Sequence, residues 1–249
     1  MLIDFHTHAN LAKKITSSLE DITTKMQEAK ASGLTALAIT EHFNSKNIIQ
    51  LYQTLYDAFP YTEDHYNING LKVFCGLEVD VKETGHFLVI GSRDDILTIA
   101  RYLLPYQDQE NFIAVDDLIA LLADFNVLKI GGHPLRESTP WTQHPINVLS
   151  QFDAFDLNGK DLYTYGSGME ERVRSFAMQY HVPVVGGSDT HHHMQYGAIY
   201  NAFPECNTID ELRTAIQQGN YEVKISPCLD VKVKAATEIK KMIKERITV

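Results

Sequence analysis

Short apolar runs alternate with longer segments of helical periodicity along this chain. The apolar runs predict strands at residues 2–5, 35–40, 71–81, 86–90, 127–130, 152–157 and 182–185. The segments that separate and follow them predict helices at residues 18–33, 48–59, 96–104, 115–125, 170–180, 209–218 and 231–246. A turn is predicted at residues 83–85 and a polar surface loop at residues 61–70. Repeated strand–helix units without a visible linker predict one α/β barrel-like domain over residues 1–249.

The composition is that of an ordinary globular protein with an acidic body. Hydrophobic residues make up 44% of the chain and charged residues 22%, and the formal net charge is −10. Residues 231–249 hold six Lys or Arg against two Glu, a local charge of +4, so the remainder carries −14. The acidic body argues against broad nucleic-acid binding, because phosphate backbones require clustered Lys and Arg. We expect the basic C-terminal helix to present a solvated lysine face.

The cysteines and the N-terminus predict a cytoplasmic protein. Cys75, Cys206 and Cys228 are odd in number and lack Cys-x-x-Cys spacing, which favours reduced thiols over a disulfide framework. The N-terminus has no signal-peptide pattern, and no apolar run approaches the length of a transmembrane helix. We therefore expect no membrane association.

Clusters of His, Asp and Glu follow most of the predicted strands. They are Asp4-Phe5-His6-Thr7-His8, Glu41-His42, Glu78, His86, His133-Pro134 and Asp189-Thr190-His191. Imidazole and carboxylate groups are the usual ligands of divalent metal ions in hydrolytic sites. Because a parallel barrel gathers its active site at the carboxyl ends of its strands, these scattered clusters are expected to converge.

Three of these clusters have spacings suited to holding cations. In an extended segment, residues two apart point to the same side, so His6 and His8 can bind one ion together. Glu78 ends an apolar run, and a single Glu can bridge two cations. Asp189 follows small residues that permit close approach, and His191 points to the same side as Asp189.

The order of the clusters resembles that of the polymerase-and-histidinol-phosphatase (PHP) family of metallophosphoesterases. The resemblance rests on His-x-His, Thr-Glu-His, Gly-x-Glu, Gly-His, His-Pro and Ser-Asp-x-His blocks in the family's order over residues 4–191. It implies a distorted (β/α)7 TIM-like barrel with two divalent metal ions, or three where a further site is complete. A mixed shell of histidine and carboxylate ligands accepts zinc, manganese or iron.

The resemblance also implies roles for individual residues. His6, His8, Glu78 and Asp189 would hold the first metal. Glu78 would bridge to a second metal, which His86 and His133 also bind. His42 and His191 would reach the third metal.

Two departures from the family pattern bear on the third metal site. The family more often has Asp where this chain has Glu41, so a longer carboxylate must be accommodated. The family also takes a ligand shortly after His-x-His, but residues 10–14 read Asn-Leu-Ala-Lys-Lys and offer none.

The implied activity is hydrolysis of a small phosphomonoester by a hydroxide shared between two cations. Arg136 is the candidate for binding the phosphate through two parallel hydrogen bonds from its guanidinium group. The alternative is that Arg136 forms an ion pair with Glu137 or another acidic residue. Lys160 is a second phosphate candidate. His191 is the candidate general acid, or His42 where the third site is empty.

Two other functions remain open. An amidohydrolase barrel also begins with His-x-His but uses a modified lysine as the bridging ligand, where this chain offers Glu78. A non-catalytic, metal-binding or regulatory barrel is the other alternative, although such a protein is expected to have lost several ligands. Three histidines outside the clusters, His65, His144 and His181, are predicted to lie at the surface.

Overall fold

Eleven strands are found in the computed structural model, which describes residues 1–166 and 168–247. They are β1 (Leu2–Thr7), β2 (Ala36–His42), β3 (Tyr61–Thr62), β4 (His65–Ile68), β5 (Leu71–Asp80), β6 (His86–Gly91), β7 (Val127–Gly132), β8 (Ala154–Asn158), β9 (Val184–Gly187), β10 (Ile199–Ala202) and β11 (Glu222–Ile225). The predicted strands are all present, and the single-domain organisation stays a prediction. Residues 167, 248 and 249 of the predicted domain lie outside the described residues.

Nine α-helices connect and cover these strands in the described part of the chain. They are α1 (Leu19–Ala31), α2 (Ile48–Ala58), α3 (Arg93–Tyr102), α4 (Val115–Leu122), α5 (Ile146–Leu149), α6 (Gly159–Tyr165), α7 (Gly168–Gln179), α8 (Ile209–Gln217) and α9 (Leu229–Ile247). Helix α1 begins where the sequence indicates, because Ser18 and Asp21 form a reciprocal capping box. None of the described helices is long and apolar enough to cross a membrane.

Seven strands form a nearly closed barrel in the order β1-β2-β5-β6-β7-β8-β9. All neighbouring pairs in this series are parallel except those made by β6, which is antiparallel to both β5 and β7. The seam between β9 and β1 is bridged just beyond β9, where Thr7 pairs with Thr190 and the Asp189 amide donates to the His6 carbonyl over 2.8 Å. The distorted, TIM-like α/β barrel expected from the sequence is confirmed.

Because β6 is antiparallel to its neighbours, His86 at its start lies at the barrel edge where the other strands end. In the β5–β6 hairpin, Asp80 lies opposite His86 and Glu78 lies opposite Leu88. His86 therefore begins its strand at the same barrel edge where Glu78 approaches the end of its own. The predicted turn at residues 83–85 is what brings them together.

Two buried clusters divide the core. Inside the barrel, side chains such as Ile3, Phe74 and Leu88 pack together, and α8 covers their lower end with Leu212 and Ile216. The larger cluster lies between the outer face of the barrel and the surrounding helices. The inner cluster fills the bottom of the barrel, so the upper end is left to polar groups.

Two local predictions were wrong. Residues 61–70 do not form a plain loop, because β3 and β4 pair as a hairpin that extends the sheet alongside β5. His65 and His144 are buried at 7% and 8% exposure. His144 Nε2 lies 2.7 Å from the Thr84 carbonyl oxygen, so it supports the hairpin turn beside the site. Aromatic rings pack on both histidines, Phe74 on His65 and Trp141 on His144, in contacts that the periodicity of the sequence does not indicate.

Candidate metal centre

Glu78 lies at the centre of the polar upper end of the barrel. Its Oε1 is 2.5 Å from His86 Nδ1, 3.2 Å from His133 Nε2 and 3.5 Å from His6 Nε2. Its Oε2 is 2.7 Å from His42 Nδ1 and 3.5 Å from His8 Nε2. Five imidazoles therefore surround one buried carboxylate, and they come from four strands, β1, β2, β6 and β7, because β1 contributes both His6 and His8.

Three sets of candidate ligands each bring their atoms within 4.8 Å of one another. These sets are His6 with His8 and Asp189, Glu78 with His86 and His133, and His8 with His42 and His191. All eight ligands expected from the sequence are thus in this one region. The first two sets match the predicted first and second metals, with Glu78 between them, and the third adds His8 to the two predicted histidines.

An irregularity in β1 turns His6 and His8 toward the barrel interior. The register with β2 advances three residues from Asp4 to Thr7 but only two from Leu37 to Ile39. This extra residue is a β-bulge, which reverses the side to which later residues point. Ile3, which precedes the bulge, packs inside the barrel. Strict alternation from Ile3 would place His6 outside the barrel, but because of the bulge His6 also faces inward.

Two candidate ligands adopt a left-handed backbone. His133 has φ of +30° and Asp189 has φ of +57°, values that are uncommon for residues other than glycine. His133 is the first residue after β7, and Asp189 is the second residue after β9. Such backbone geometry concentrates at functional sites, where surrounding contacts hold it in place.

Asp156 is a buried site residue that the sequence analysis missed. Its Oδ2 lies 2.8 Å from His6 Nδ1 and accepts a 2.9 Å hydrogen bond from the Asn158 amide. The bond to Nδ1 leaves His6 Nε2 facing Glu78, as in carboxylate–histidine–metal arrangements. Gly187 makes room for this pair, because a Cβ there would lie 2.5 Å from both Asp156 Oδ1 and His6 Cβ.

Asp80 contacts the ring of His86 as Asp156 contacts that of His6, and the sequence analysis missed it as well. Its Oδ1 is 2.9 Å from His86 Nε2, and its Oδ2 accepts a 3.0 Å hydrogen bond from Lys13. Asp80 is two residues after Glu78 in a strand, so the signal for a shared face was present in the sequence.

Glu41 belongs to none of the three ligand sets, although its Oε1 lies 3.9 Å from His8 Nδ1. Its Oε2 accepts from the Asn10 amide over 2.8 Å, and its Oε1 accepts from the Ser45 hydroxyl over 2.7 Å. Although burial by itself raises the pKa of Glu41, contact with His8 and His42 and the Asn10 amide lower it to about 2. The longer carboxylate is accommodated by folding back on the loop after β1, in the region where the sequence offers no further ligand.

Arg136 is held by carboxylates within the site. Its Nε donates to Asp161 over 2.8 Å, and one Nη donates over 3.0 Å to both Asn158 and Asp189. The predicted alternative of an acidic partner is therefore met by Asp161 and Asp189 and not by Glu137. Arg136 thereby fixes the carboxylate of Asp189, whose other oxygen is 3.5 Å from His8 Nε2.

Lys25 is a buried cation that the sequence analysis did not anticipate. From α1 its ammonium donates to the carbonyl oxygens of Ala9 over 2.6 Å and His191 over 2.9 Å. It therefore ties together the two loops, after β1 and β9, that carry His8 and His191.

The buried histidines divide into two electrostatic groups. Burial by itself lowers the pKa of His86, but the carboxylates of Glu78 and Asp80 outweigh it and raise that pKa to about 9. Glu78 and Asp156 likewise raise the pKa of His6 against the effect of burial. Burial dominates for His42 and His191, whose pKa values are lowered. The centre thus combines histidines that hold protons with others that are neutral at pH 7.

Comparison with protein families supports the resemblance drawn from the sequence. The model described as "PHP domain" matches residues 4–135, and the one described as "PHP-associated" matches residues 170–221. The DNA polymerase III PolC-type of Latilactobacillus sakei subsp. sakei (strain 23K) is 29% identical over 122 residues. Those residues are 49% of this chain but 8% of that polymerase, so the similarity concerns a small part of the relative.

Solved structures share the fold at low identity. PsfC from Pseudomonas syringae PB-5123 has a TM-score of 0.80 at 19% identity, over 97% of this chain and 98% of that one. The lesion-specific endonuclease PfuEndoQ from Pyrococcus furiosus has a TM-score of 0.66 at 16% identity, over 90% and 58%. A candidate metal-dependent phosphoesterase from Bifidobacterium adolescentis ATCC 15703 has a TM-score of 0.52 at 14% identity, over 85% and 94%. Because one neighbour is an endonuclease, these matches give no support to excluding nucleic acid as a partner.

Proposed function

We propose, from the premise that this chain belongs to the PHP domain family, that it is a metal-dependent phosphoesterase acting on a small phosphomonoester. The observation that carries the proposal is Glu78, a buried carboxylate with a set of candidate ligands on either side. One set includes His86 and His133, and the other includes His8 and Asp189. A carboxylate in this position suits a two-metal hydrolytic site.

The donor atoms support this assignment independently of the family. His6 Nε2 and His8 Nε2 are buried without a hydrogen-bond partner. Glu78 Oε2 and His42 Nδ1 lie 2.7 Å apart but do not form a hydrogen bond, so they too are buried without one. Buried polar atoms are normally satisfied, so a convergent group of unpartnered donors is suited to binding a cation. Nitrogen and carboxylate donors together suit zinc, manganese or iron.

The chain's own residues would perform the remaining steps. When bound, two divalent cations lower the pKa of a water molecule and neutralise charge on a phosphoryl group. His191, or His42, would protonate the leaving-group oxygen from its imidazolium form. Burial lowers the pKa of both histidines in the metal-free protein, so the proton would have to be taken up together with the anionic substrate. Arg136 would hold Asp189 in position, and a phosphate contact by its guanidinium remains part of the proposal.

Two alternatives from the sequence are less well supported. An amidohydrolase-type centre needs a modified lysine between its metals, whereas Glu78 stands in that position here. A non-catalytic module would be expected to have lost ligands, whereas all eight candidate ligands are present in one region.

The second candidate function is hydrolysis of a DNA phosphodiester. It is favoured by the similarity to PfuEndoQ over 90% of this chain. The net charge of −10 opposes it, because DNA binding depends on Lys and Arg contacts to the backbone.

The proposal is tested by assaying the metal-stripped protein after addition of manganese or zinc. We expect turnover of p-nitrophenyl phosphate and of members of a panel of small phosphomonoesters, and loss of both turnover and metal content in Asp189→Ala and His133→Ala. Wild-type turnover in chelator-treated Asp189→Ala would exclude the mechanism. Cleavage of a lesion-bearing DNA duplex without phosphomonoester turnover would select the second candidate.

A pH dependence of metal binding follows from the raised pKa of His86. A proton must leave His86 before its nitrogen binds a cation, so affinity at this site should rise with pH up to about 9. Each proton displaced contributes about a tenfold gain per pH unit. Removing a neighbouring carboxylate in Asp80→Asn should lower that pKa and flatten the dependence above neutral pH. Titration calorimetry between pH 6 and 9 measures this slope, and equal slopes in both proteins would contradict the explanation.

A further inference from the structure

The topology places α9 over the upper end of the barrel, beside the candidate metal centre. Strand β10 is antiparallel to β1, and β11 is antiparallel to β10, so β11 runs toward the same end as β1. The chain therefore leaves β11 on the side where His6 and His8 lie. Helix α9 begins four residues later, beyond both ranges matched by the family models.

Specific contacts fix α9 in this place. It packs against α6, which follows the upper end of β8, and against the short 3₁₀ turn His193–Gln195, which follows His191. Lys232 of α9 donates a 2.8 Å hydrogen bond to the carbonyl of Tyr196 at the end of that turn. The helix is thus anchored to the segment that carries the candidate general acid.

The buried stripe of α9 ends in a lysine. Leu229, Val233 and Ala236 are 5%, 0% and 3% exposed and lie on one face of the helix. Lys240 comes four residues after Ala236, so it continues this face and not the solvated one. The expected lysine face of α9 is therefore only partly solvated, because Lys232 and Lys240 are half-buried.

Lys240 interacts electrostatically with Asp189 and Lys160. Burial lowers the pKa of Lys240 to about 8. The negative charge of Asp189 raises this pKa, and the positive charge of Lys160 lowers it further. Lys160 lies at the start of α6, beside the upper end of β8, and it lowers the pKa of Asp189. Within residues 1–166 and 168–247 neither ammonium group has a hydrogen bond or close ion pair. Because α9 packs on α6, Lys240 and Lys160 lie on adjoining helices, and two such cations without a close partner can bind an anion.

We propose that α9 forms one wall of the site and that Lys240, with Lys160, binds an anionic group on the leaving-group portion of the substrate. This inference rests on the proposed phosphoesterase function and narrows it to phosphomonoesters that carry a second anion, either a carboxylate or a phosphate. The leaving-group side is indicated because α9 packs on the turn that follows His191, the candidate donor of the leaving-group proton.

The test compares phenyl phosphate with 4-carboxyphenyl phosphate, which differ by one remote carboxylate. With the metal-loaded protein, Lys240→Met should raise KM for the carboxylated substrate about five- to tenfold. Its kcat, and both constants for phenyl phosphate, should stay within about twofold, since the metal ligands are untouched. Lys234→Met, an exposed change on the same helix, should leave both substrates unaffected.

Further variants separate charge recognition from disturbance of the helix. Lys240→Arg should keep the preference, and Lys160→Met, on a different element, should weaken it in the same direction. The wild-type preference should also decline with ionic strength. Equal losses on both substrates, or no loss on either, would overturn the inference while the phosphoesterase proposal stands. Absence of turnover of either substrate by the metal-loaded wild type would instead overturn the proposed function, and this inference with it.

Discussion

Glu78→Gln is expected to remove phosphoesterase turnover, lowering kcat/KM by at least about a thousandfold. The amide keeps the volume of the carboxylate but loses its charge and one of its two metal-binding oxygens. Neither of the neighbouring carboxylates Asp189 and Asp80 can take its place, because Asp189 is held by Arg136 and Asp80 is directed to His86 and Lys13. Both cations would lose a shared ligand at once.

Metal content and stability report on this change without an activity assay. Wild-type protein should gain about 2.7 kcal/mol in free energy of unfolding when free metal reaches one hundred times its dissociation constant. Glu78→Gln should gain far less at the same metal concentration, and elemental analysis should show depleted metal. The matched control is Glu28→Gln, an exposed change on α1. Normal metal content and turnover in Glu78→Gln would show that Glu78 is not a bridging ligand.

Asp156→Asn is expected to weaken metal binding about 10- to 100-fold without removing any ligand. Asp156 accepts from His6 Nδ1, and this bond orients the ring so that Nε2 points toward Glu78. An asparagine oxygen can still accept a hydrogen bond, but it lacks the negative charge that makes the imidazole a stronger ligand. Competition with a chromogenic chelator measures the affinity.

A control in the same region separates positioning from general damage. Asp153 accepts from the Lys129 amide near the start of β8, at the far end of the strand from the site. Asp153→Asn should therefore leave metal affinity unchanged even if it lowers stability. If Asp156→Asn and Asp153→Asn had the same affinity, the carboxylate–imidazole pair would have no role in metal binding.

Much of the candidate centre could be predicted from the sequence because its ligands follow apolar runs. A strand that ends in a buried barrel carries its next polar residues to the rim, so His133 and Asp189 could be placed without coordinates. The hairpin at residues 83–85 was also recognisable, and it accounts for His86. Asp80 could have been found by the same period-two argument that links His6 and His8.

The partners of these ligands could not be predicted, because they come from distant segments. Asp156 is 150 residues from His6, and nothing near either residue indicates that they meet. The buried Lys25 is likewise joined to His191 only by the closure of the barrel. Hydrogen bonds of this kind depend on the packing of whole elements, which local periodicity does not encode.

The sequence by itself determined the alternation of strands and helices and the identity of the eight candidate ligands, because apolar spacing and residue chemistry are local properties. The tertiary structure alone decided which way those residues face. Strict alternation from Ile3 would have turned the His6 side chain outward. The bulge in β1 turns it inward instead, because the pairing of β1 with β2 and with the segment after β9 fixes the register on both sides. The same is true of α9, because β10 and β11 bring this helix to the upper end of the barrel and leave Lys240 half-buried there.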